Sequence, residues 1–108
     1  TSDMNVMKEE VFGPVLPIIS FKTGEDAIEI ANNTPYGLSA YIYGKDSKTL
    51  RMVASKLQAG QISLNGASYF SPHSPFGGYK KSGLGRNDGS FGFYEVTQKK
   101  VVAEPLEK

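Results

Sequence analysis

Residues 38–65 read LSAYIYGKDSKTLRMVASKLQAGQISLN, and they carry the clearest structural pattern in the chain. The segment Leu38–Tyr43 contains Tyr and Ile, which favour β-strands, and Gly44 closes it. Apolar side chains then recur at the i, i+3, i+4 and i+7 positions of an amphipathic helix, at Leu50, Val53, Ala54 and Leu57. The pattern therefore predicts a strand followed by a helix.

The limits of this helix and the segment after it complete a common structural unit. Either Asp46 or Ser47 can cap the N-terminus of the helix, and Gly60 suits a stop at its C-terminus. Residues Gln61–Asn65 alternate in the manner of a second strand. A strand, a helix and a strand in this order predict a right-handed parallel crossover, which assigns the chain to the α/β fold class.

Two more elements are predicted nearer the N-terminus. The apolar run Val15–Phe21 has the length and the β-branched residues of a strand, and Pro17 confines that part of it to an edge or to its beginning. Acidic residues followed by an apolar stripe over residues 25–31 indicate a short helix. This helix should stop at Asn32-Asn33, because the residue before Pro35 resists the helical conformation.

The second half of the chain is less regular. Residues 66–92 form a long loop rich in Gly, which in a compact domain is usually functional. A short helical turn is expected at about Ser90–Tyr94, and Gln98–Glu104 has the pattern of a last strand that Pro105 ends.

Composition excludes several classes of protein. The chain has 108 residues, 12 Lys and Arg against 11 Asp and Glu, a net charge of +1 and no cysteine. A balanced charge disfavours a dedicated nucleic-acid or membrane binder, and without cysteine there is no disulfide, no Cys-ligated metal and no cysteine nucleophile in this chain. We expect one soluble domain at most, with no membrane span and no secretory signal, in the cytoplasm.

Generic motifs leave the chemistry of the long loop open. Its Lys80, Lys81 and Arg86 invite a phosphate-binding interpretation, but the loop contains no Gly-Lys pair and its Gly spacing misses the dinucleotide fingerprint by one residue. With Tyr79, Lys99 and Lys100, the same cations would form an anion-binding or nucleic-acid-binding surface, which the balanced charge disfavours. The adjacent Glu9 and Glu10 can do acid–base work or accept hydrogen bonds from sugar hydroxyls, although such pairs usually face solvent. His73 stands alone, so no metal site is predicted.

Taken together, the residues resemble the C-terminal part of the aldehyde dehydrogenase superfamily over almost the entire chain. Four segments carry the resemblance in the family's order: EEVFGPV at residues 9–15, ANNTPYGL at residues 31–38, Gly60 with Asn65, and PFGGYKKSGLGR at residues 75–86.

The resemblance implies an NAD(P)-dependent oxidation of an aldehyde to a carboxylic acid, by way of a thioester on a cysteine. It implies that Glu10 holds the hydroxyls of the nicotinamide ribose, that Phe12 packs beside the nicotinamide and that Leu38 lies in the same neighbourhood. Ser68, Phe70 and Phe76 fall where the family lines its aldehyde tunnel. The cofactor is thus expected to be NAD or NADP, and the substrate a small-molecule aldehyde.

The resemblance also implies which parts are missing. The family's nucleophilic cysteine, general-base glutamate, oxyanion-hole asparagine and nucleotide-binding segment belong upstream of residue 9, so the chain alone is expected to be inactive and to contribute no catalytic residue. Residues 1–97 then correspond to the C-terminal portion of the catalytic domain. Residues 98–108 correspond to an oligomerisation strand and tail, and a homo-oligomer is expected. The alternative is a non-catalytic α/β interaction or oligomerisation module.

Overall fold

The computed structural model describes residues 3–67 and 71–106. In chain order, its regular elements are helix α1 (Gly24–Asn32), strand β1 (Ser39–Ile42), helix α2 (Ser47–Lys56), strand β2 (Gln61–Leu64) and helix α3 (Gly89–Glu95). Short 3-10 turns lie at Asn5–Met7 and Lys80–Ser82. None of the helices in these two ranges is long and apolar enough to cross a membrane.

The two strands form a parallel pair, with Ser39 opposite Gln61 and Ile42 opposite Leu64, and α2 provides the crossover between them. Leu50 on α2 is the buried apolar side chain of the described residues, with 6% of its surface exposed. The strand–helix–strand unit predicted from residues 38–65 is thereby confirmed as the small α/β centre of the fold.

The helix ends are fixed by short-range hydrogen bonds. Thr23 and Asp26 form a capping box at the start of α1, in which each side chain accepts the backbone N–H of the other residue, both at 3.1 Å. Asp46 caps α2 and accepts from the backbone amides of Lys48 at 3.3 Å and Thr49 at 2.9 Å. Of the two candidate caps for α2, Asp46 is therefore the one used, and α1 ends at Asn32 as predicted.

Helix α2 ends earlier than Gly60, so the prediction of Gly60 as its stop is wrong. The last helical residue is Lys56, and Leu57 follows with extended dihedral angles. The side-chain amide of Asn32 donates to the carbonyl oxygen of Lys56 at 2.9 Å and accepts from the backbone N–H of Gln58 at 2.8 Å. These two bonds satisfy backbone groups that another turn of helix would have used.

Two predicted strands are absent from the described residues. Residues 15–21 and 98–104 belong to no sheet, since neither segment has a neighbouring strand to complete its ladder of hydrogen bonds. Their apolar side chains are open to solvent: Leu16 is 82% exposed, Ile18 86% and Val101 92%. The short helix expected at about Ser90–Tyr94 is present as α3.

The fold leaves a large area uncovered. The chain exposes 9314 Å², against roughly 5,900 Å² for a compact monomer of 11.7 kDa. Such an excess of exposed surface, much of it apolar, is typical of a segment that packs against another protein surface.

We expect Asp46→Ala to lower the melting temperature at pH 7, because it removes the cap of α2. The hydroxyl and amide of Thr49, with the amide of Lys48, hold the pKa of the Asp46 carboxyl below its ordinary value. The charged cap therefore stabilises the fold above the unfolded-state pKa, and this contribution is lost as the pH falls through the lower folded-state pKa.

The matched control is Asp46→Asn, which keeps a capping oxygen but does not titrate. Thermal unfolding followed by circular dichroism between pH 2 and pH 7 should show a smaller acid-induced loss in Asp46→Asn than in the parent chain. Identical pH profiles for the two proteins would contradict this role of the carboxylate.

Candidate cofactor and substrate site

Three backbone or hydroxyl contacts fasten the Gly-rich loop to the turn after α1. The backbone amides of Tyr79 and Lys81 donate to the carbonyl oxygens of Gly37 and Pro35, both at 2.9 Å. The Ser82 Oγ accepts from the backbone N–H of Gly37 at 2.9 Å. We call residues 79–82, with their bonds to residues 32–37, the clamp.

Lys80 supplies the charged part of the clamp. Its ammonium donates to the carbonyl oxygen of Asn32 at 2.8 Å and to that of Thr34 at 3.0 Å. A cation is favourable at this position because the carbonyl groups at the C-terminus of α1 carry partial negative charge. The residue itself has φ of 53°, a left-handed conformation that a side chain rarely adopts.

Two glycines are needed where the loop meets the strands. A side chain on Gly37 would overlap the carbonyl oxygen of Gln58, and one on Gly60 would overlap the carbonyl oxygen of Gly77. The amide of Gly60 also donates to the carbonyl oxygen of Gly37 at 3.0 Å. Gly60 therefore serves the close approach of two backbone segments.

Arg86 has a structural task as well. Its Nη1 donates to the carbonyl oxygens of Gly78 at 3.0 Å and Gly85 at 2.6 Å, and its guanidinium lies 5.5 Å from the centre of the Tyr79 ring. Because Lys80 and Arg86 both bind backbone carbonyls of this chain, the phosphate-binding interpretation loses two of its three cations. The described residues contain no group of three or more potential metal-ligating side chains, and His73 belongs to none.

A cavity of about 600 Å³ opens beside the clamp. Glu10 and Leu38, both predicted to face the cofactor, line it together. The rest of its wall mixes small, apolar and charged side chains, including Glu9, Ala40, Lys81 and Ser82. Sequence reasoning did not single out Ser82, although it stands inside the motif at residues 75–86.

A second cavity, of about 180 Å³, shares lining residues with the first. Phe76, predicted to contact the aldehyde, lines it with Leu84 and Arg86. The backbone of Phe76 is fixed by two hydrogen bonds to Asn87, at 2.8 Å and 2.7 Å. Leu38 and Ser82 line this cavity as well as the larger one.

Of the remaining predicted residues, Phe12 is described by the structure and is not brought to these cavities. The Phe12 ring is 99% exposed and lines neither of them. Ser68 and Phe70 lie outside the described residues.

Asn65 was noted in the sequence only as part of a motif, and its structural use is specific. Its side chain accepts from the backbone N–H of Gly44 and donates to the Gly44 carbonyl oxygen, both at 2.9 Å. The paired donor and acceptor of one Asn amide thus fasten the end of β2 to the end of β1. No local pattern signals such a bond, because its two partners are 21 residues apart.

Comparison with known proteins identifies the family of this chain. The chain belongs to the aldehyde dehydrogenase family, whose sequence model matches residues 1–102. It is 49% identical over 100 residues to a protein of Staphylococcus epidermidis that is provisionally named an aldehyde dehydrogenase. The match takes in 93% of this chain and 21% of that relative.

Solved structures agree with this assignment. An aldehyde dehydrogenase of Mycobacterium tuberculosis in complex with NAD⁺ superposes with a TM-score of 0.90 at 42% identity, over 97% of this chain and 22% of that one. A mutant aldehyde dehydrogenase C of Pseudomonas syringae, in complex with NAD⁺ and octanal, gives 0.81 at 49% identity, over 88% and 19%. These matches confirm the α/β class, and the chain spans about a fifth of the length of these relatives.

We expect Lys80→Met to destabilise the fold by roughly 0.5–1 kcal/mol, because it removes the cation at the C-terminus of α1. The control is Lys81→Met, which deletes the neighbouring ammonium without touching a hydrogen bond of the clamp. Urea unfolding at pH 7 measures both variants. Equal losses of stability in the two would show that the Lys80 contacts contribute nothing specific.

Proposed function

We propose that this chain is the C-terminal part of an NAD(P)-dependent aldehyde dehydrogenase, in which it supplies one wall of the active site. The observation that carries the proposal is the pair of adjoining cavities beside the clamp, one lined by Glu10 and the other by Phe76. Family membership supports the reaction class, and the resemblance of the four motifs to C-terminal segments of the family supports the position of the chain within the longer protein.

The larger cavity suits the nicotinamide end of the cofactor. The exposed carboxylate of Glu10 is a pure acceptor, which matches the vicinal hydroxyls of a ribose. Leu38 and Ala40 offer an apolar surface to a flat ring. Glu10 would hold the ribose and Leu38 would flank the ring. When bound, the nicotinamide supplies the acceptor for the hydride.

The nucleophile has to come from outside these 108 residues, because the chain contains no cysteine. A thiolate adds to the aldehyde carbonyl, the adduct loses hydride to become a thioester, and water releases the acid. In this scheme Phe76 keeps the aldehyde side apolar and excludes water while the thioester forms. The clamp fixes the positions of the two cavities relative to each other.

Phe76 also favours an apolar aldehyde. The side chains lining the smaller cavity include Arg86 and, among the described residues, no carboxylate. A positively charged aldehyde would therefore meet the Arg86 cation on this wall.

We further propose a homo-oligomer. The excess of exposed surface gives an uncovered apolar area to bury. Within the strand and tail of residues 98–108, Gln98–Glu104 would add a strand to a sheet of another subunit, while residues 1–97 remain with the catalytic domain. The same surface also favours the second candidate, a non-catalytic interaction or oligomerisation module. Activity of the longer protein separates the two candidates.

In the longer protein, Glu10→Ala should raise the KM for the dinucleotide about tenfold to a hundredfold, since it removes charge-assisted bonds to the ribose. Glu9→Ala is the matched control, because Glu9 is adjacent and borders the same cavity. Steady-state kinetics with the cofactor as varied substrate measures both. The assignment of the ribose to Glu10 would be wrong if Glu9→Ala had the larger effect.

The longer protein should prefer octanal to the cationic betaine aldehyde by about tenfold or more in kcat/KM, because only octanal gains from apolar burial. Phe76→Ala should reduce this preference, whereas Phe91→Ala, which lines neither cavity, should leave it unchanged. Competition between the two aldehydes gives the ratio directly. A preference for the cationic substrate would refute the apolar assignment.

A further inference from the structure

The two cavities share part of their wall. Leu38 and Ser82 line the larger cavity, beside Glu10, and they also line the smaller one, beside Phe76. When the cofactor occupies one cavity and the aldehyde the other, the reacting atoms have to come into contact beside Leu38 and Ser82. The position of Leu38 then sets the distance and angle between them.

The backbone around Leu38 is held from several directions. Its own carbonyl oxygen accepts from Gln61 at 2.9 Å, which belongs to the parallel sheet. The carbonyl oxygen of the preceding Gly37 accepts from Gly60 and Tyr79. On the N–H side of Gly37, the contact that the structure gives is the Ser82 hydroxyl.

Ser82 is itself tightly placed. It is half-buried, and a Cβ added to Gly78 would come 2.5 Å from the Ser82 Cβ. The close packing of the Ser82 Cβ against Gly78 limits how far the hydroxyl can follow Gly37 if the turn shifts. Without the hydroxyl, the half-buried N–H of Gly37 would have to move to find another acceptor.

We propose that Ser82 is a positioning residue for hydride transfer, acting through Gly37 on Leu38. The inference rests on the proposed function. In the step concerned, the C–H bond of the cysteine-bound adduct breaks, its electron pair leaves with the hydrogen to the nicotinamide, which is reduced, and the carbon is oxidised to the thioester carbonyl. Ser82 exchanges no proton in this step. Its hydroxyl keeps Leu38 beside the two carbon atoms between which the hydride is transferred.

The test is made on the longer protein with Ser82→Ala, using 1-deuterated octanal. Displacement of Leu38 should slow hydride transfer about tenfold. The value of kcat then falls, and the primary deuterium isotope effect on kcat rises. A merely structural role would lower the amount of active enzyme and leave the isotope effect at the parent value. Ser82→Thr, which keeps the hydroxyl, should retain the parent isotope effect.

Two measurements do not depend on turnover. Hydrogen exchange in a peptide covering Gly37 should be faster in Ser82→Ala than in the parent, and the Kd for NAD⁺ from titration calorimetry should change less than about twofold, since the ribose contacts remain. Ser55→Ala is the control, because it also removes a serine hydroxyl, one that donates to the Met52 carbonyl oxygen on α2. It should alter none of these quantities.

The outcomes separate the two proposals. A parent protein that oxidises octanal, with an isotope effect unchanged in Ser82→Ala, would overturn the role of Ser82 and leave the proposed function intact. A parent protein without aldehyde oxidation would overturn both. If Ser82→Ala does not fold, Leu38→Ala removes the side chain at the wall while keeping the clamp, and it must raise the isotope effect.

Discussion

The clamp between residues 79–82 and the turn at residues 32–37 is the interaction on which the rest of this structure depends. It joins two segments more than forty residues apart through backbone amides, one hydroxyl and one ammonium group. Because it uses mostly main-chain groups, it needs close backbone approach, and Gly37 and Gly60 provide that approach. Both cavities of the candidate site border the clamp. If the clamp were broken, each cavity would lose part of its lining, including Ser82.

The α/β unit gives the clamp a firm base despite its small apolar core. Leu50 anchors α2, while Asn32 ties the end of α1 to the end of α2 and Asn65 ties the two strand ends. Hydrogen bonds of polar side chains thus join the elements at places where a larger domain would use apolar packing. The unpartnered segments around Ile18 and Val101 fit the same account, since they expose surface that a longer protein or another subunit would cover.

Sequence patterns predicted the elements whose determinants are local. Caps and i, i+3, i+4 spacing are written within a few residues, so α1, α2 and α3 were found, and β1 and β2 followed from their composition. A strand at residues 15–21 could not be judged locally, because a strand exists only with a neighbour. Glu10 and Leu38, which the motifs group together, line one cavity, whereas the contacts of Lys80, Gly60 and Ser82 join distant segments that no local pattern encodes.

The proposed function makes this chain one wall of an active site whose nucleophile lies elsewhere. Its central claim is tested most directly by following the absorbance of reduced nicotinamide at pH 7 with octanal and NAD⁺ or NADP⁺. The pure 108-residue chain and the longest native polypeptide that carries it should be compared at equal concentration. We predict turnover by the longer polypeptide and none by the chain alone. Turnover by the pure chain would contradict the account, because a chain without cysteine cannot form the thioester.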